Sequence, residues 1–313
     1  MDTKTRLVIV AFAVLGLLAA MFLLRGKAVD PVLRAAFDAE FLSRPDGYPG
    51  LAEHYDFRFP VEPMQMDPGL MYSAVHRGSV DVIDAFATDG RIEAYDLYVL
   101  EDDRNFFPPY YAAPLARAET LEEFPEIEEI LNRLSGRISD ETMRELNYRV
   151  DEKREDAGGV ALEFLEGLGL IDAAAPAPGE RGPVTIGGKH FTEQEILGEI
   201  MAAMIEYNSD IRVVRRLNLG GTIICFNALR AGDLDLYAEY TGTGLVNILE
   251  KEAVREPEEA YKTVAKEFKE KYNLIWLEPL GFDNTYTLAM RRDHAEELGI
   301  ETITDMAEYI KTH

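Results

Sequence analysis

A run of alanines, prolines and glycines between residues 173 and 183 is the feature that most constrains how this chain can fold. The run reads AAAPAPGERGP, a composition that favours extended or irregular backbone over the interior of a helix or strand. We therefore predict a linker over residues 173–183, which would reach about 30 Å if extended at ~3.1 Å per residue. The flanking segments, residues 29–172 and 184–313, are similar in length. Neither repeats the sequence of the other, which excludes a tandem duplication.

The charge and the reactive side chains favour a binding protein over an enzyme. With 57 acidic against 32 basic side chains the net charge is −25, which repels the phosphates of a nucleic acid partner. The single cysteine, Cys225, cannot form an intrachain disulfide or a cysteine-based zinc site. The five histidines lack metal-ligand spacing, and the sequence contains no nucleophile elbow, phosphate-binding loop or zinc-protease motif. We expect no catalytic residue, no metal and no cofactor.

The N-terminal segment, residues 1–28, has the pattern of a membrane anchor. Residues 7–24 carry no charge, and basic side chains stand on both sides of them. As a helix this stretch would be about 27 Å long at ~1.5 Å per residue, close to the ~30 Å hydrocarbon core of a bilayer. We predict a single-pass helix that anchors the chain in the cell membrane and places the remainder outside the cytoplasm. The alternative is a signal peptide that is cleaved.

Strand and helix patterns alternate on both sides of the linker, which predicts an α/β protein. Residues 184–186 form a β-branched run, two glycines follow, and an apolar periodicity over residues 193–207 predicts a helix. Thr192 and Glu195 have the spacing of a capping box. The loop 187–191 should then lie at a helix N-terminus, where anionic groups bind favourably.

Eight motifs resemble one family of transport proteins. Four of them, within residues 184–313, resemble the first half of the substrate-binding proteins of glycine betaine/carnitine/choline ABC importers. These are IGGKHFTEQ at 186–194, NLGGT at 218–222, AEYTGT at 238–243 and GFDNTY at 281–286. The other four resemble the second half of the same family. These are EFLSRPDG at 40–47, MDPGL at 66–70, AFATDGR at 85–91 and FFPPYYAAP at 106–114.

The resemblance implies a two-lobed periplasmic-binding-protein-like fold of type II whose two sequence halves stand in circularly permuted order. Residues 303–313 followed by residues 30–37 look like uninterrupted family sequence. The linker would join the family's ordinary termini, and the new termini would open a surface loop, where such cuts are tolerated. The first lobe of the family would comprise residues 96–172 and 184–290, and the second lobe residues 30–95 and 291–313.

The resemblance also implies a ligand and the residues that bind it. An aromatic cage for a quaternary ammonium ion would be formed by Tyr240, Tyr286, Tyr110 and Phe86, since aromatic rings attract such cations. The ligand carboxylate would contact Lys189, Arg44 and Thr243, with Asn284 lining the site. Rings for a cation and positive groups for an anion together describe a betaine. The expected partner is an ABC permease. The alternative function is that of a membrane-tethered sensor that binds the same ligands.

Overall fold

The computed structural model describes residues 32–172 and 179–313, in which helices alternate with strands. The strands are β1 (Ala35–Phe37), β2 (Met64–Gln65), β3 (Val82–Phe86), β4 (Leu97–Val99), β5 (Ala112–Arg117), β6 (Arg181–Gly187), β7 (Ile211–Arg216), β8 (Leu236–Tyr240), β9 (Leu274–Trp276) and β10 (Tyr286–Arg291). The helices are α1 (Ala39–Ser43), α2 (Tyr48–His54), α3 (Pro68–His76), α4 (Arg91–Ala94), α5 (Ala118–Glu123), α6 (Glu126–Asn132), α7 (Asp140–Asp151), α8 (Ala157–Gly167), α9 (Thr192–Asn208), α10 (Thr222–Ala231), α11 (Pro257–Tyr272), α12 (Arg292–Leu298) and α13 (Ile303–Thr312). A π-helical turn, Thr243–Ile248, follows β8.

Two of the sequence predictions fall outside the described residues. These are the membrane segment, residues 7–24, and the first six residues of the linker, residues 173–178. The predicted end of the linker is wrong, because residues 181–183 belong to strand β6 and pair with β7. Among the helices that the structure describes, none is long and apolar enough to cross a bilayer.

The strands form two five-stranded mixed sheets, and each sheet is the centre of one lobe. The β1 sheet has the strand order β2-β1-β3-β10-β4, with β1 parallel to both its neighbours and β10 antiparallel to β3 and β4. The β6 sheet has the order β7-β6-β8-β5-β9, with β6 parallel to both its neighbours and β5 antiparallel to β8 and β9. The structure thus confirms the α/β class and the two lobes, here named the β1 lobe and the β6 lobe.

Each half of the chain contributes one strand to the sheet of the other half. Strand β10 follows the linker in sequence, yet it pairs with β3 and β4 in the β1 sheet. Strand β5 precedes the linker, yet it pairs with β8 and β9 in the β6 sheet. The two sheets therefore share one strand order and one set of strand directions, and their strands are exchanged reciprocally.

The passages between the lobes correct the predicted lobe boundaries. Within the described residues the chain crosses once between β4 and β5, over residues 100–111, and once between β9 and β10, over residues 277–285. Both β4 and β10 belong to the β1 sheet, whereas the predicted boundaries at 95/96 and 290/291 assigned them to the other lobe. The backbone hydrogen bonds assign β10 to the β1 lobe, because residues 286–290 pair with residues 82–86 of β3. The two passages also pair with each other at Tyr111 and Asp283.

The long helix α9 confirms one local prediction and corrects another. It covers the predicted residues 193–207, and it is buried on most faces at the core of the β6 lobe. Phe191, however, is the N-cap residue, and no side chain caps the helix. The hydroxyl of Thr192 instead donates to Asp151 Oδ1 in α7, at 2.6 Å, so the predicted capping box is wrong. Cys225 is fully buried.

Candidate ligand-binding site

All of the predicted site residues line one pocket between the lobes, at the ends of the central strands. The β1 lobe contributes Arg44, Phe86 and Tyr286, and the β6 lobe contributes Lys189, Tyr240 and Thr243. Tyr110 and Asn284 line the pocket from the two passages between the lobes. Ligands of α/β proteins bind at this end of the sheet, where the strands open into loops.

The short helix α1 places Arg44 in the pocket. Asp38 caps this helix by accepting from the backbone N–H groups of Glu40 and Phe41, and Arg44 follows its last turn. The guanidinium of Arg44 makes two hydrogen bonds to Asp46, at 2.8 and 2.6 Å, and the phenol of Tyr110 donates to the same carboxylate at 2.6 Å. The charge of the guanidinium is therefore already paired within the protein.

The loop after β6 places Lys189 on the opposite side. Its backbone N–H donates to Gln194 Oε1 at 3.1 Å, which fixes the loop against the start of α9. Its ammonium forms an ion pair with Glu239 Oε1 at 2.5 Å, and both side chains are buried. The loop 187–191 thus lies at the N-terminus of α9 as predicted, but the positive charge of Lys189 has a carboxylate partner within the protein.

The aromatic side chains form a continuous row through the pocket. In order the rings are Tyr240, Phe191, Phe86, Tyr286 and Tyr110, with neighbouring ring centroids 6.4, 5.6, 5.2 and 5.5 Å apart. The rings of Phe86 and Phe191 come from different lobes and are nearly parallel, with an interplanar angle of 5°. The row brings the four predicted cage residues together and adds Phe191, which the sequence analysis did not assign to the site.

Cations of the protein itself lie over two of these rings. The guanidinium carbon of Arg44 is 5.4 Å from the centroid of Tyr286, and the ammonium of Lys189 is 5.0 Å from that of Tyr240. Both distances are within the range of cation–π attraction. The ring faces are therefore suited to a positive group, and in this structure protein cations lie over them.

Two carboxylates also line the pocket, and the sequence analysis missed both. Burial raises the pKa of Asp38, whose backbone N–H donates to the carboxylate of Asp84 beneath it. Burial alone would also raise the pKa of Glu40, but Lys189 and Arg44, with hydrogen bonds from Thr222, hold it below its usual value. The sequence signal for Glu40 was its place in the quoted EFLSRPDG motif, four residues before Arg44.

The lobes touch each other across this pocket. Arg44 Nη2 donates to Thr243 Oγ1 at 3.1 Å, and Glu40 accepts from the backbone N–H and the hydroxyl of Thr222 at the start of α10. In the ranges 32–172 and 179–313, no group of three or more acidic, histidine or cysteine side chains is arranged to hold a metal ion. The arrangement can enclose a small charged molecule between two lobes.

Comparison with known proteins identifies the family. The chain matches the model of the substrate binding domain of ABC-type glycine betaine transport systems over residues 24–167 and 182–313. The chain belongs to this family. Membership of the glycine betaine transport family confirms the resemblance seen in the motifs, and it confirms the prediction of a transporter's binding protein rather than an enzyme.

This chain spans about half or less of the length of each relative that it matches. The carnitine transport binding protein OpuCC of Listeria monocytogenes is 42% identical over 142 residues, which cover 45% of this chain and 46% of that protein. A glycine-betaine-binding protein of Pseudomonas aeruginosa is 38% identical over 44% of each chain. The ergothioneine transport permease/ergothioneine binding protein EgtU of Helicobacter pylori is 40% identical over 44% of this chain and 24% of its own. A solved structure of a glycine betaine/carnitine/choline ABC transporter is 38% identical over 44% of this chain and 51% of that chain, with a TM-score of 0.35.

Proposed function

We propose that this chain is the extracytoplasmic solute-binding component of an ABC importer, and that it binds a betaine between its lobes. The observation that carries the proposal is the convergence of five aromatic rings and two cations, from both lobes, on one pocket. The ligands named for the three relatives, carnitine, glycine betaine and ergothioneine, support the same chemistry. Each of these molecules carries a trimethylammonium group and a carboxylate.

In the proposed complex the ligand takes over contacts that the protein now makes with itself. The trimethylammonium group replaces the cations that lie over Tyr286 and Tyr240, and Phe86 and Tyr110 complete the cage. Lys189 and Arg44 turn toward the ligand carboxylate, with Thr243 and Asn284 as neutral neighbours. A desolvated cation–π contact contributes about 2 kcal/mol, so each cage ring affects Kd by roughly 30-fold.

Lobe closure would couple binding to delivery. Arg44, Phe86 and Tyr286 belong to the β1 lobe and the remaining predicted contacts to the β6 lobe or the passages, so a ligand that touches both groups favours the closed form. An ABC permease would then receive the ligand from the closed form. Coexpression with a betaine permease and an uptake assay separates this function from that of a membrane-tethered sensor, which would bind the same ligand without uptake.

We also propose that residues 1–28 anchor the binding domain in the cell membrane. The uncharged run at 7–24 and its basic flanks support this assignment. Deletion of residues 1–28 should release the protein from the membrane fraction after alkaline extraction. Release of the full-length chain under the same conditions would contradict the anchor.

Circular permutation of the family sequence is the further part of the proposal. The family model matches two blocks that flank the linker, and each named relative matches less than half of this chain. Because the two sheets have the same strand order, exchanging the sequence halves leaves the topology unchanged. A reordered chain, with residue 313 joined to residue 30 and the linker opened, should keep the melting temperature and ligand affinity. Failure of that chain to fold would contradict the permutation.

Removal of one cage ring tests the binding site. Tyr286→Ala should weaken glycine betaine binding by roughly 30-fold in calorimetry, because it removes one cation–π face. Tyr98→Ala is a matched control, since Arg292 lies 5.4 Å from the Tyr98 centroid, as Arg44 does from Tyr286, but Tyr98 is outside the pocket. Equal affinities for the two variants would contradict the cage.

A further inference from the structure

Glu193 is a buried carboxylate that accepts four side-chain hydrogen bonds at the seam between the lobes. It lies in the first turn of α9 and is 3% exposed. Its Oε1 accepts from the Tyr240 phenol at 2.7 Å and from Asn284 Nδ2 at 2.8 Å. Its Oε2 accepts from the Thr88 hydroxyl at 2.5 Å and from Asn147 Nδ2 at 3.1 Å.

The two oxygens of this carboxylate face different parts of the molecule. Oε1 holds two residues that line the ligand pocket, Tyr240 and Asn284. Oε2 holds Thr88, which follows β3 in the opposite lobe, and Asn147 also donates to the Thr88 carbonyl at 3.0 Å. Neither Glu193 nor Thr88 lines the pocket itself. Glu193 therefore stands between the pocket and the contact that joins the lobes.

We propose that Glu193 is a positioning residue that couples the orientation of the cage ring Tyr240 to closure of the lobes. The inference rests on the proposed function, because it concerns the same ligand pocket. Opening of the lobes would remove the Thr88 hydroxyl from Oε2. This oxygen would then keep one of its two donors, Asn147. Loss of a donor from a buried charged oxygen costs free energy. Closure of the lobes avoids this cost, because it restores all four hydrogen bonds to the carboxylate. The same shell fixes the Tyr240 phenol where a ligand meets its ring.

The chemistry of this shell requires a carboxylate. An ionised carboxylate accepts through both oxygens, whereas the amide of a glutamine offers one acceptor and two donors. In this structure the side-chain N–H groups of Asn147 and Asn284 both donate to Glu193, so an amide nitrogen in either position would face a donor. Burial raises the pKa of Glu193, and the four hydrogen bonds oppose that shift.

Thr88 provides the test, because it can be changed without touching the pocket. Thr88→Val removes the hydroxyl but keeps the shape, and it should weaken glycine betaine binding by about tenfold. Thr120→Val is the matched control, since the buried Thr120 hydroxyl donates to Asp235 at 2.8 Å within the β6 lobe. The control should leave the affinity unchanged.

A mutant cycle separates coupling from general damage. The effects of Thr88→Val and Tyr240→Phe on the Kd for glycine betaine should be non-additive: the double variant should differ from the product of the two single effects by about tenfold. This coupling should disappear when the same two changes are made in the Glu193→Gln background. A variant that only disturbs folding would change the free energy of unfolding without this coupling. Strictly additive effects of Thr88→Val and Tyr240→Phe would overturn the inference.

Scattering of the ligand-free protein keeps this test distinct from that of the proposed function. If the parent protein binds no betaine, the proposed function fails, and the radius of gyration then decides the role of Glu193. Thr88→Val and Glu193→Gln should each raise the radius of gyration relative to Thr120→Val, because the contact that closes the seam is lost. Equal radii for all three variants would overturn the role of Glu193.

Discussion

Replacing Glu239 by glutamine measures how much one buried charge contributes to this fold. Glu239 is fully buried, Lys189 is 4% exposed, and their charged atoms are 2.5 Å apart. The glutamine keeps the size of the side chain and an oxygen for the backbone N–H of Tyr240, which Glu239 accepts at 2.8 Å. The variant therefore removes the negative charge and leaves the ammonium of Lys189 buried without its ion-pair partner.

The expected loss of stability is large for a single isosteric change. Breaking a buried ion pair by removing one partner costs about 3–5 kcal/mol. The lower end applies here, because the charge of Lys189 also acts on Glu40 across the pocket. At ~2–4 °C per kcal/mol, Glu239→Gln should lower the melting temperature by on the order of 10 °C.

Two further variants identify the cause of the loss. Lys189→Met combined with Glu239→Gln removes both charges and should recover much of the stability, since a neutral pair leaves no unpaired charge. Glu258→Gln is the control, because Glu258 and Lys262 are also 2.5 Å apart but are 82% and 70% exposed. This surface variant should unfold at the temperature of the parent. Thermal unfolding followed by circular dichroism at pH 7 gives the comparison. Equal melting temperatures for Glu239→Gln and Glu258→Gln would refute the reasoning.

Three other measurements follow from the seam and the passages between the lobes. Gly90→Ala should shift the ligand-free protein toward open lobes and weaken betaine binding at least tenfold, because a Cβ there would lie 2.5 to 2.8 Å from Tyr148 of the opposite lobe. Gly167→Ala, which has open space around it, should leave both scattering and affinity unchanged. Burial raises the pKa of Asp283 to about 6, so the folded state holds this proton above the pH at which an unfolded carboxyl loses it. The Asp283 carboxyl therefore makes the free energy of unfolding fall as pH rises from ~4 to ~6. In urea titrations at several pH values, Asp283→Asn should remove the contribution of this carboxyl to the fall.

The residues that line the candidate site could be found in the sequence because the motifs that carry them are short and contiguous. Phe191 lies inside the IGGKHFTEQ motif, but its place before a helix does not by itself assign the ring to the pocket or to a core. Its ring belongs to the cage row because Phe86, from the other lobe, stacks on it. That contact joins residues more than a hundred positions apart, and no local window contains it.

The errors in the predicted fold have the same origin. Residues 286–290 alternate as a strand would in either lobe, and only their pairing with residues 82–86 assigns them to the β1 sheet. The Thr192 hydroxyl has the right spacing to cap α9, yet Asp151 in α7 offers it a charged acceptor. Composition, α/β alternation and local helix periodicity could be derived from the sequence. Partners that come from distant parts of the chain could not.

The reciprocal exchange of β5 and β10 has a consequence for how the protein is made. A ribosome that has released residues 32–172 has produced β1 to β5, but the β1 sheet still lacks β10 between β3 and β4. Strand β5 meanwhile has no partners, because β8 and β9 are not yet synthesised. The β6 sheet cannot be complete until residue 276 has emerged, and the β1 sheet cannot be complete until residue 291 has emerged. The nascent chain therefore carries unpaired strand edges through most of its translation.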